Sequence, residues 1–335
     1  MTVARPLAIL GLALVAALPL VPMGGMRQYV LHVLVQIFIW SFIGGAWSLM
    51  GRFGLLSLGH GAFLGLAAYA STLLWNFFRL TPWAGGVAAV AASAILAIVL
   101  GYPCFRFRVV GHYFALVTLA VGEVIRLLII AERDWTGGSL GVTLKPAASD
   151  TSILAIQFAD KRVFYYASVA VWAAGLWVWW RVDRSMARSA LEAIGEDDTA
   201  AASVGIRVTR FKLAITVLSA ALTAVGGVLY AQYITYVNPD TLSGIGVSLR
   251  IVFAVVLGGM YTLLGPTVGT ALTIALSEYL RVAFGLKLIG MAETIYGLVL
   301  ILCIIFLPAG IYGSLREVLR RRLSAKTAPA PSTAG

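Results

Sequence analysis

Long apolar segments, separated by charged residues, glycine or proline, are the feature that most constrains how this chain can fold. About ten of them approach the roughly 20 residues that a helix needs to cross the hydrocarbon core of a bilayer. Their approximate limits are 7–23, 29–50, 53–75, 83–105, 111–130, 163–180, 211–235, 248–266, 267–286 and 289–308. Since 60% of the 335 residues are apolar and only 12% are charged, the sequence predicts an all-α polytopic membrane protein with about ten transmembrane helices.

The placement of the basic residues predicts the orientation of the chain. The net charge of +11 includes 25 Lys and Arg, which lie mostly between the apolar segments. This distribution favours the positive-inside rule over a nucleic-acid-binding surface, so the lipid bilayer is the expected partner and nucleic acid is not. When both termini are placed in the cytoplasm, most Lys and Arg fall on the inner side of the membrane.

Three regions are predicted along the chain. Residues 1–27 hold a first transmembrane helix, which is expected to stay uncleaved because no convincing signal-peptide cleavage site follows it. Residues 28–310 form the main transmembrane domain, with an outer loop at about 131–162 and a cytoplasmic loop at about 181–210. Residues 311–335 form a basic tail whose last part, rich in Ala, Pro, Ser and Thr, is expected to be disordered in the cytoplasm.

No catalytic residue, bound cofactor or metal is expected. The chain has no Gly-x-x-x-x-Gly-Lys-Ser/Thr sequence, so if ATP drives it, the ATP is expected to bind another polypeptide or domain. Residues 137–141 match Gly-x-Ser-x-Gly, but the strand and helix that a nucleophile elbow needs are not predicted around them, so a glycine-rich turn is expected. Cys104 and Cys303 lie in separate apolar segments without metal-ligand spacing.

A stripe of small residues surrounds a histidine in the third apolar segment. Ser57, Gly61 and Gly65 are spaced four apart and would lie on one helix face, with His60 among them. One interpretation is a bent or interrupted helix that exposes backbone groups and His60 to a substrate path. The other is close packing of a second helix against the small residues. The sequence leaves both open.

Two pairs of opposite charges lie within apolar segments. Glu123 with Arg126, and Glu278 with Arg281, are each three residues apart, so the two side chains of a pair can meet on one helix face. Charges inside a membrane are candidates for function. A structural ion pair near the outer interface is the favoured interpretation, because each acid has its own cation.

The cytoplasmic loop contains a predicted short helix. Acidic residues from Glu192 to Asp198 precede an alanine-rich stretch, and Gly205 can end it, which fits a helix of about two turns. Because so short a helix is marginal in water, it is expected to dock on another surface. An ordinary solvated loop is the alternative.

Four motifs in order resemble one family. Ser57 to Phe63, Tyr113 to Ala120 with Glu123 and Arg126, Thr136 to Gly138, and the 191–206 loop together resemble the LivM-type permeases of branched-chain amino acid ABC importers over about residues 28–310. The resemblance implies a multi-pass subunit of the bacterial inner membrane that pairs with a LivH-like second permease. Two cytoplasmic ATP-binding subunits and a periplasmic solute-binding protein would complete the importer, and the partner subunits would use the ATP.

The resemblance also suggests roles for individual residues. The candidates for the substrate pathway or its gate are Ser57, Gly59, His60, Gly61, Tyr113, Thr118, Glu123, Arg126, Thr136, Gly137 and Gly138. The candidates for the ATPase coupling loop are Glu192, Ala193, Gly195, Glu196, Asp197, Asp198, Ala201 and Gly205. Gly195 departs from the family pattern, which usually has a basic residue there.

Other functions stay open at the level of the sequence. The same permease family resembles carriers of urea, short amides and other small polar solutes. An ion-coupled secondary transporter would need an unpaired intramembrane acid, and a membrane-embedded hydrolase would need a triad or metal-ligand spacing that the sequence does not contain. Import of leucine, isoleucine and valine by alternating access is the favoured hypothesis.

Overall fold

A computed structural model describes residues 18–20, 24–147, 151–152, 154–158 and 160–284, and scattered residues between 294 and 314. Most of the predicted first helix, most of the predicted last span and the tail beyond 314 lie outside these residues. The α-helices, numbered in chain order, are α1 Arg27–Gly51, α2 His60–Phe78, α3 Pro82–Arg106, α4 His112–Ala131, α5 Arg133–Thr136, α6 Lys161–Asp183, α7 Met186–Glu196, α8 Asp198–Ser203, α9 Val208–Ile234, α10 Pro239–Leu242, α11 Ile245–Gly258 and α12 Gly265–Phe284.

Seven helical stretches in the described ranges are long and apolar enough to cross a membrane. They are α1, α2, α3, α4, α6, α9, and α10 taken together with α11. The helix α12 has 20 residues but is not among the seven. The chain is therefore an all-α polytopic membrane protein.

Short strands and turns cap one end of the bundle. Strand β1, Val142–Thr143, pairs antiparallel with β4, Tyr236–Val237, and β2, Thr151–Ser152, pairs antiparallel with β3, Gln157–Phe158. The end of α2 is fastened to this layer because the Asn76 side-chain amide donates to the Thr143 carbonyl at 2.9 Å. We call this the loop end of the bundle.

The opposite end carries the paired helices α7 and α8. Helices α1 and α6 run parallel: Lys161 Nζ lies 3.4 Å from the Gln28 carbonyl at their first turns, and Arg52 Nη1 lies 2.8 Å from Asp183 Oδ1 at their last. Helix α9 begins beside α8 and runs back to the loop end. We call this opposite end the α7–α8 end.

Helices α1, α2 and α9 form the centre of the bundle. Ile43, Trp47 and Leu64 are buried there. Gly227 of α9 lies so close to α2 that a Cβ atom on it would be 2.5 Å from the Leu64 carbonyl oxygen. Small residues let membrane helices approach in this way. The close approach stabilises the helix pair through van der Waals contacts between the two backbones.

The structure corrects two predicted spans. The span predicted over 53–75 is helical only from His60, because the chain turns at Gly54 with φ +80° and the Trp47 indole holds Ser57 by donating to its carbonyl at 2.8 Å. The span predicted over 248–266 is helical from Ile245 to Gly258 and ends at Gly259, whose φ is +108°. Apolar composition marked both segments but does not distinguish a buried helix from a buried non-helical segment.

Candidate functional site

The candidate pathway residues fall into separate groups, and the largest is a helix junction inside the bundle. Ser57, Gly59, His60, Gly61 and Thr118 meet where α2 begins. The junction lies near the middle of α9, because His60 contacts Ser219 of that helix. The first turn of α2 therefore starts within the bundle and not at its surface, as the interrupted-helix interpretation predicted.

Hydroxyl groups bind the free backbone N–H groups at this helix start. Thr118 Oγ1 accepts from Leu58 N at 3.0 Å, and Ser57 Oγ accepts from Gly59 N at 3.2 Å. Ser248 Oγ of α11 accepts from Gly61 N at 2.9 Å. Unpaired N–H groups are costly in an apolar interior, so these three bonds make an interior helix start possible.

His60 is fully buried and hydrogen-bonded at both ring nitrogens. Nε2 lies 2.9 Å from Ser219 Oγ and Nδ1 lies 3.1 Å from Ser57 Oγ. Ser219 Oγ donates its own proton to the Ala46 carbonyl at 2.7 Å, so Nε2 must be the donor and Nδ1 the acceptor. A neutral His60 thus links α1, α2 and α9, and it does not face an open path in this conformation.

The small-residue stripe is used for close packing. A Cβ atom on Gly59 would lie 2.2 Å from the Thr118 carbonyl oxygen, and one on Gly65 would lie 1.8 Å from Ser243 Oγ. Close packing of α4 and of the segment before α11 against α2 is therefore confirmed. The helix does begin inside the bundle, but its backbone N–H groups and His60 are hydrogen-bonded and buried, so their exposure to a substrate path stays a prediction.

Arg126 forms an ion pair with Glu123, as predicted, and a second one with Asp240, which the sequence did not suggest. Arg126 Nη1 lies 2.5 Å from Glu123 Oε1, and Arg126 Nη2 lies 2.6 Å from Asp240 Oδ1 of α10. The ion pairs join α4 to α10 near the loop end. Asp240 follows the helix-starting Asn238-Pro239, but this local signal does not indicate the remote arginine.

Thr136, Gly137 and Gly138 form a tight turn at the loop end. Thr136 Oγ1 lies 2.5 Å from the Ile129 carbonyl and accepts from Gly138 N at 3.1 Å. Gly137 and Gly138 have φ of +74° and +61°, which suits glycine. The turn contacts the end of α4, and the Asn238 amide beside β4 donates to the carbonyl of Ser139.

Tyr113 joins none of these groups among the contacts that the structure describes. It lies in the first turn of α4, at the α7–α8 end, and is 75% exposed. Its predicted place in the pathway stays a prediction.

The loop predicted to be cytoplasmic forms two helices: the predicted short helix is α8, and α7 precedes it. Glu192, Ala193, Gly195 and Glu196 belong to α7, while Asp198 and Ala201 belong to α8. Asp197 stands between the helices and caps α8, because its carboxylate accepts from Thr199 N at 2.7 Å and Ala200 N at 3.0 Å. These bonds from Ala200 and Thr199 lower the pKa of the Asp197 carboxyl. The cap is therefore present above the ordinary pKa and is lost as pH falls through the lowered value.

The acidic residues 192–198 belong to two helices because Asp197 caps α8 with its side chain. Helix α7 therefore ends at Glu196, the residue before Asp197. Gly205, with φ +87°, ends the segment as predicted.

One face of the α7–α8 pair is anchored to the bundle. Lys212 Nζ of α9 lies 2.5 Å from Asp198 Oδ2, and Arg188 of α7 bonds Asp183 at 3.2 Å. Leu191, Ile194 and Ala201 are buried against the bundle. Met186 and Val204, in contrast, are 91% and 75% exposed. The pair is thus attached to the bundle on one side and exposed on the other.

A polar cleft lies among α1, α9, α11 and α12, and the sequence did not predict it. Its volume is about 200 Å³. Its lining includes Gln36, Trp40, Tyr230, Arg250, Ile251, Ala254, Ile274, Ser277, Glu278 and Arg281. Arg250 lies within α11, inside a membrane-spanning stretch, and was not among the predicted site residues. The sequence signal that could have indicated this cleft is Arg250, a cation in an otherwise apolar run.

Comparison with known proteins identifies the family. The family described as branched-chain amino acid transport system / permease component matches residues 29–307. The chain belongs to this permease family. The predicted resemblance to LivM-type permeases is therefore confirmed.

Individual relatives differ in their substrates. The chain is 30% identical over 252 residues to the high-affinity branched-chain amino acid permease LivM of Salmonella typhimurium, covering 69% of this chain and 59% of the relative. It is 24% identical to the LivH permease of the same organism, over 86% of this chain and 98% of the relative. It is also 26% identical to the guanosine ABC transporter permease NupQ of Bacillus subtilis, over 62% and 68% of the two chains. No solved structure matches.

Proposed function

We propose that this permease imports branched-chain amino acids, namely leucine, isoleucine and valine, by alternating access driven by separate ATP-binding subunits. The observation that carries the proposal is the α7–α8 pair. Its inner face is fixed to α9 and α6 through Lys212–Asp198 and Arg188–Asp183, and its outer face is exposed. A rigid element with one free face can transmit the movement of a partner to the bundle.

The two ends of the molecule suggest where partner proteins bind. The α7–α8 end carries the basic residues Arg52, Arg106, Arg181, Arg184, Arg207 and Arg210 near helix ends, which supports a cytoplasmic position and a bacterial inner-membrane location. Two ATP-binding subunits would dock there. A solute-binding protein would dock at the loop end.

The second permease is proposed to be LivH-like. The similarity to LivH relatives over 86% of this chain supports two related permeases that assemble around a shared central path. In this arrangement the junction at His60 is a candidate gate. Hydrogen bonds hold the start of α2 to α4, α9 and α11, and these bonds would break if those helices moved apart. Glu123 with Arg126, and the turn at Thr136, would hold the loop end in register.

The proposal is tested by purifying the chain with its chromosomal neighbours in nanodiscs and measuring ATP hydrolysis. We expect two ATP-binding subunits and a second permease to co-purify, and a leucine-loaded binding protein to stimulate hydrolysis above the unloaded one. The same assay with isoleucine, valine, urea and guanosine identifies the substrate class, since NupQ shows that relatives differ. A chain that purifies alone and transports under an ion gradient would contradict the proposal.

A further inference from the structure

Arg250 is a charged residue inside a membrane-spanning stretch. It lies two residues beyond Ser248, whose hydroxyl binds the start of α2 beside the middle of α9. Trp40, midway along α1, lines the same cleft. Arg250 therefore lies in the middle part of the bundle, between its loop end and its α7–α8 end.

The guanidinium of Arg250 lacks a protein anion across the described ranges. It is exposed and makes neither a hydrogen bond nor an ion pair there. The one carboxylate in the described lining, Glu278, is already bound by Arg281 at 2.6 Å and by the Tyr29 hydroxyl at 2.9 Å. Among the described residues, the cleft thus holds one positive charge without a counter-charge, and an intramembrane charge of this kind needs water or a bound anion.

The remaining lining divides into a polar and an apolar part. Gln36, Tyr230 and Ser277 present polar groups, while Ile251 and Ala254 are apolar. The volume of about 200 Å³ is below the roughly 300–1,000 Å³ of drug-sized ligand sites, so the cleft suits a small solute. Glu278 lies on the loop-end side of the cleft, because it binds the hydroxyl of Tyr29 in the first turn of α1.

We propose that Arg250 binds the carboxylate of the transported solute in this cleft, with the solute's apolar side chain against Ile251 and Ala254. A guanidinium forms paired hydrogen bonds with a carboxylate, and such charge-assisted bonds are strong where water is scarce. Arg250 is thereby a specificity-determining residue for amino acids over uncharged solutes. The inference rests on the proposed import function.

The first test compares leucine uptake by the complete importer in proteoliposomes. Arg250→Gln lowers uptake at least about tenfold, the loss expected for one charge-assisted hydrogen bond, while Arg250→Lys retains part of it. Arg162→Gln is the matched control, because Arg162 begins α6 away from the cleft. Normal uptake by Arg250→Gln would overturn the proposal. So would loss of the second permease from the Arg250→Gln complex, since it would indicate an ion pair between subunits.

The second test does not depend on transport or on changing Arg250. Ser277→Cys, in a chain whose Cys104 and Cys303 are replaced by serine, is labelled in the assembled complex with negatively and positively charged thiol reagents. The negative reagent reacts faster and leucine slows it; adding Arg250→Gln removes both effects. Equal rates for both reagents without protection by leucine would overturn the proposal. If the complete importer moves no amino acid, the proposed function fails, but the charge preference still tests Arg250 as an anion site.

Discussion

Gly59 holds the start of α2 against α4 because it lacks a side chain. The neighbouring atom is the backbone carbonyl oxygen of Thr118, which can move only if α4 moves with it. The Thr118 hydroxyl also accepts a hydrogen bond from Leu58 N. The contact at Gly59 and this hydrogen bond therefore both depend on the distance between α4 and the start of α2.

Gly59→Ala is therefore expected to destabilise the bundle by about 1–3 kcal/mol, the usual cost of overpacking. The measurement is the melting temperature of the purified complex. Gly45→Ala is the control, because a Cβ atom at Gly45 meets nothing within 4 Å. An unchanged melting temperature for Gly59→Ala would show that the close approach is absent.

Arg126 acts as a connector between α4 and α10. Its ion-pair partners are Glu123 and Asp240, and the side chains of Arg126 and Glu123 are 25% and 32% exposed. Partly exposed ion pairs contribute little to the free energy of unfolding. We therefore expect the Arg126 ion pairs to position α4 and α10 at the loop end more than to stabilise the whole fold.

Glu123→Gln is expected to lower stability by at most about 1 kcal/mol and to leave the order of substrate preference unchanged. Uptake competition among leucine, isoleucine and valine, at matched membrane levels, checks this. Altered selectivity at normal levels would instead place Glu123 in the substrate pathway.

At the scale of elements, the α7–α8 pair depends on how its helices end. Asp197 ends α7 and caps α8, and Gly205 then reverses the chain into α9 with a positive φ. The position of α8 relative to Lys212 is fixed by this turn.

Gly205→Val is expected to strain the turn by about 1–3 kcal/mol, because a β-branched residue disfavours positive φ. Fewer solute molecules should then enter per ATP hydrolysed, while hydrolysis itself continues. Gly205→Asn is the control, since asparagine tolerates this conformation. Wild-type coupling in Gly205→Val would argue against docking by α7 and α8.

Sequence patterns predicted the elements better than their contacts. Apolar length located α1, α3, α4, α6 and α9 within a few residues, because lipid selects for apolar surface along a whole span. Ser219, Ser248 and Asp240 were not predicted, since each meets a residue more than 100 positions away in the chain. Hydropathy also did not reveal that 53–59 is not helical, because Phe53, Leu55, Leu56 and Leu58 make it part of an apolar run.

At the scale of the whole molecule, the bundle has two unlike ends on either side of a largely apolar interior. The loop end is closed by β1 paired with β4 and by the Arg126 ion pairs. The α7–α8 end presents an anchored helical pair, and the cleft at Arg250 extends to Glu278 and Arg281 near the last turns of α12. This polarity fits delivery of a solute at one end and application of force at the other.

Crosslinking tests the central claim, that the α7–α8 pair is the docking surface for the ATP-binding subunits, most directly. Met186→Cys and Leu140→Cys are compared in the assembled importer without Cys104 and Cys303, because both positions are strongly exposed but lie at opposite ends. A reagent that attaches to the cysteine thiol and carries a photoactivatable group should join Met186→Cys to an ATP-binding subunit and leave Leu140→Cys unlinked to it. A crosslink from Leu140→Cys to that subunit, with none from Met186→Cys, would contradict the account.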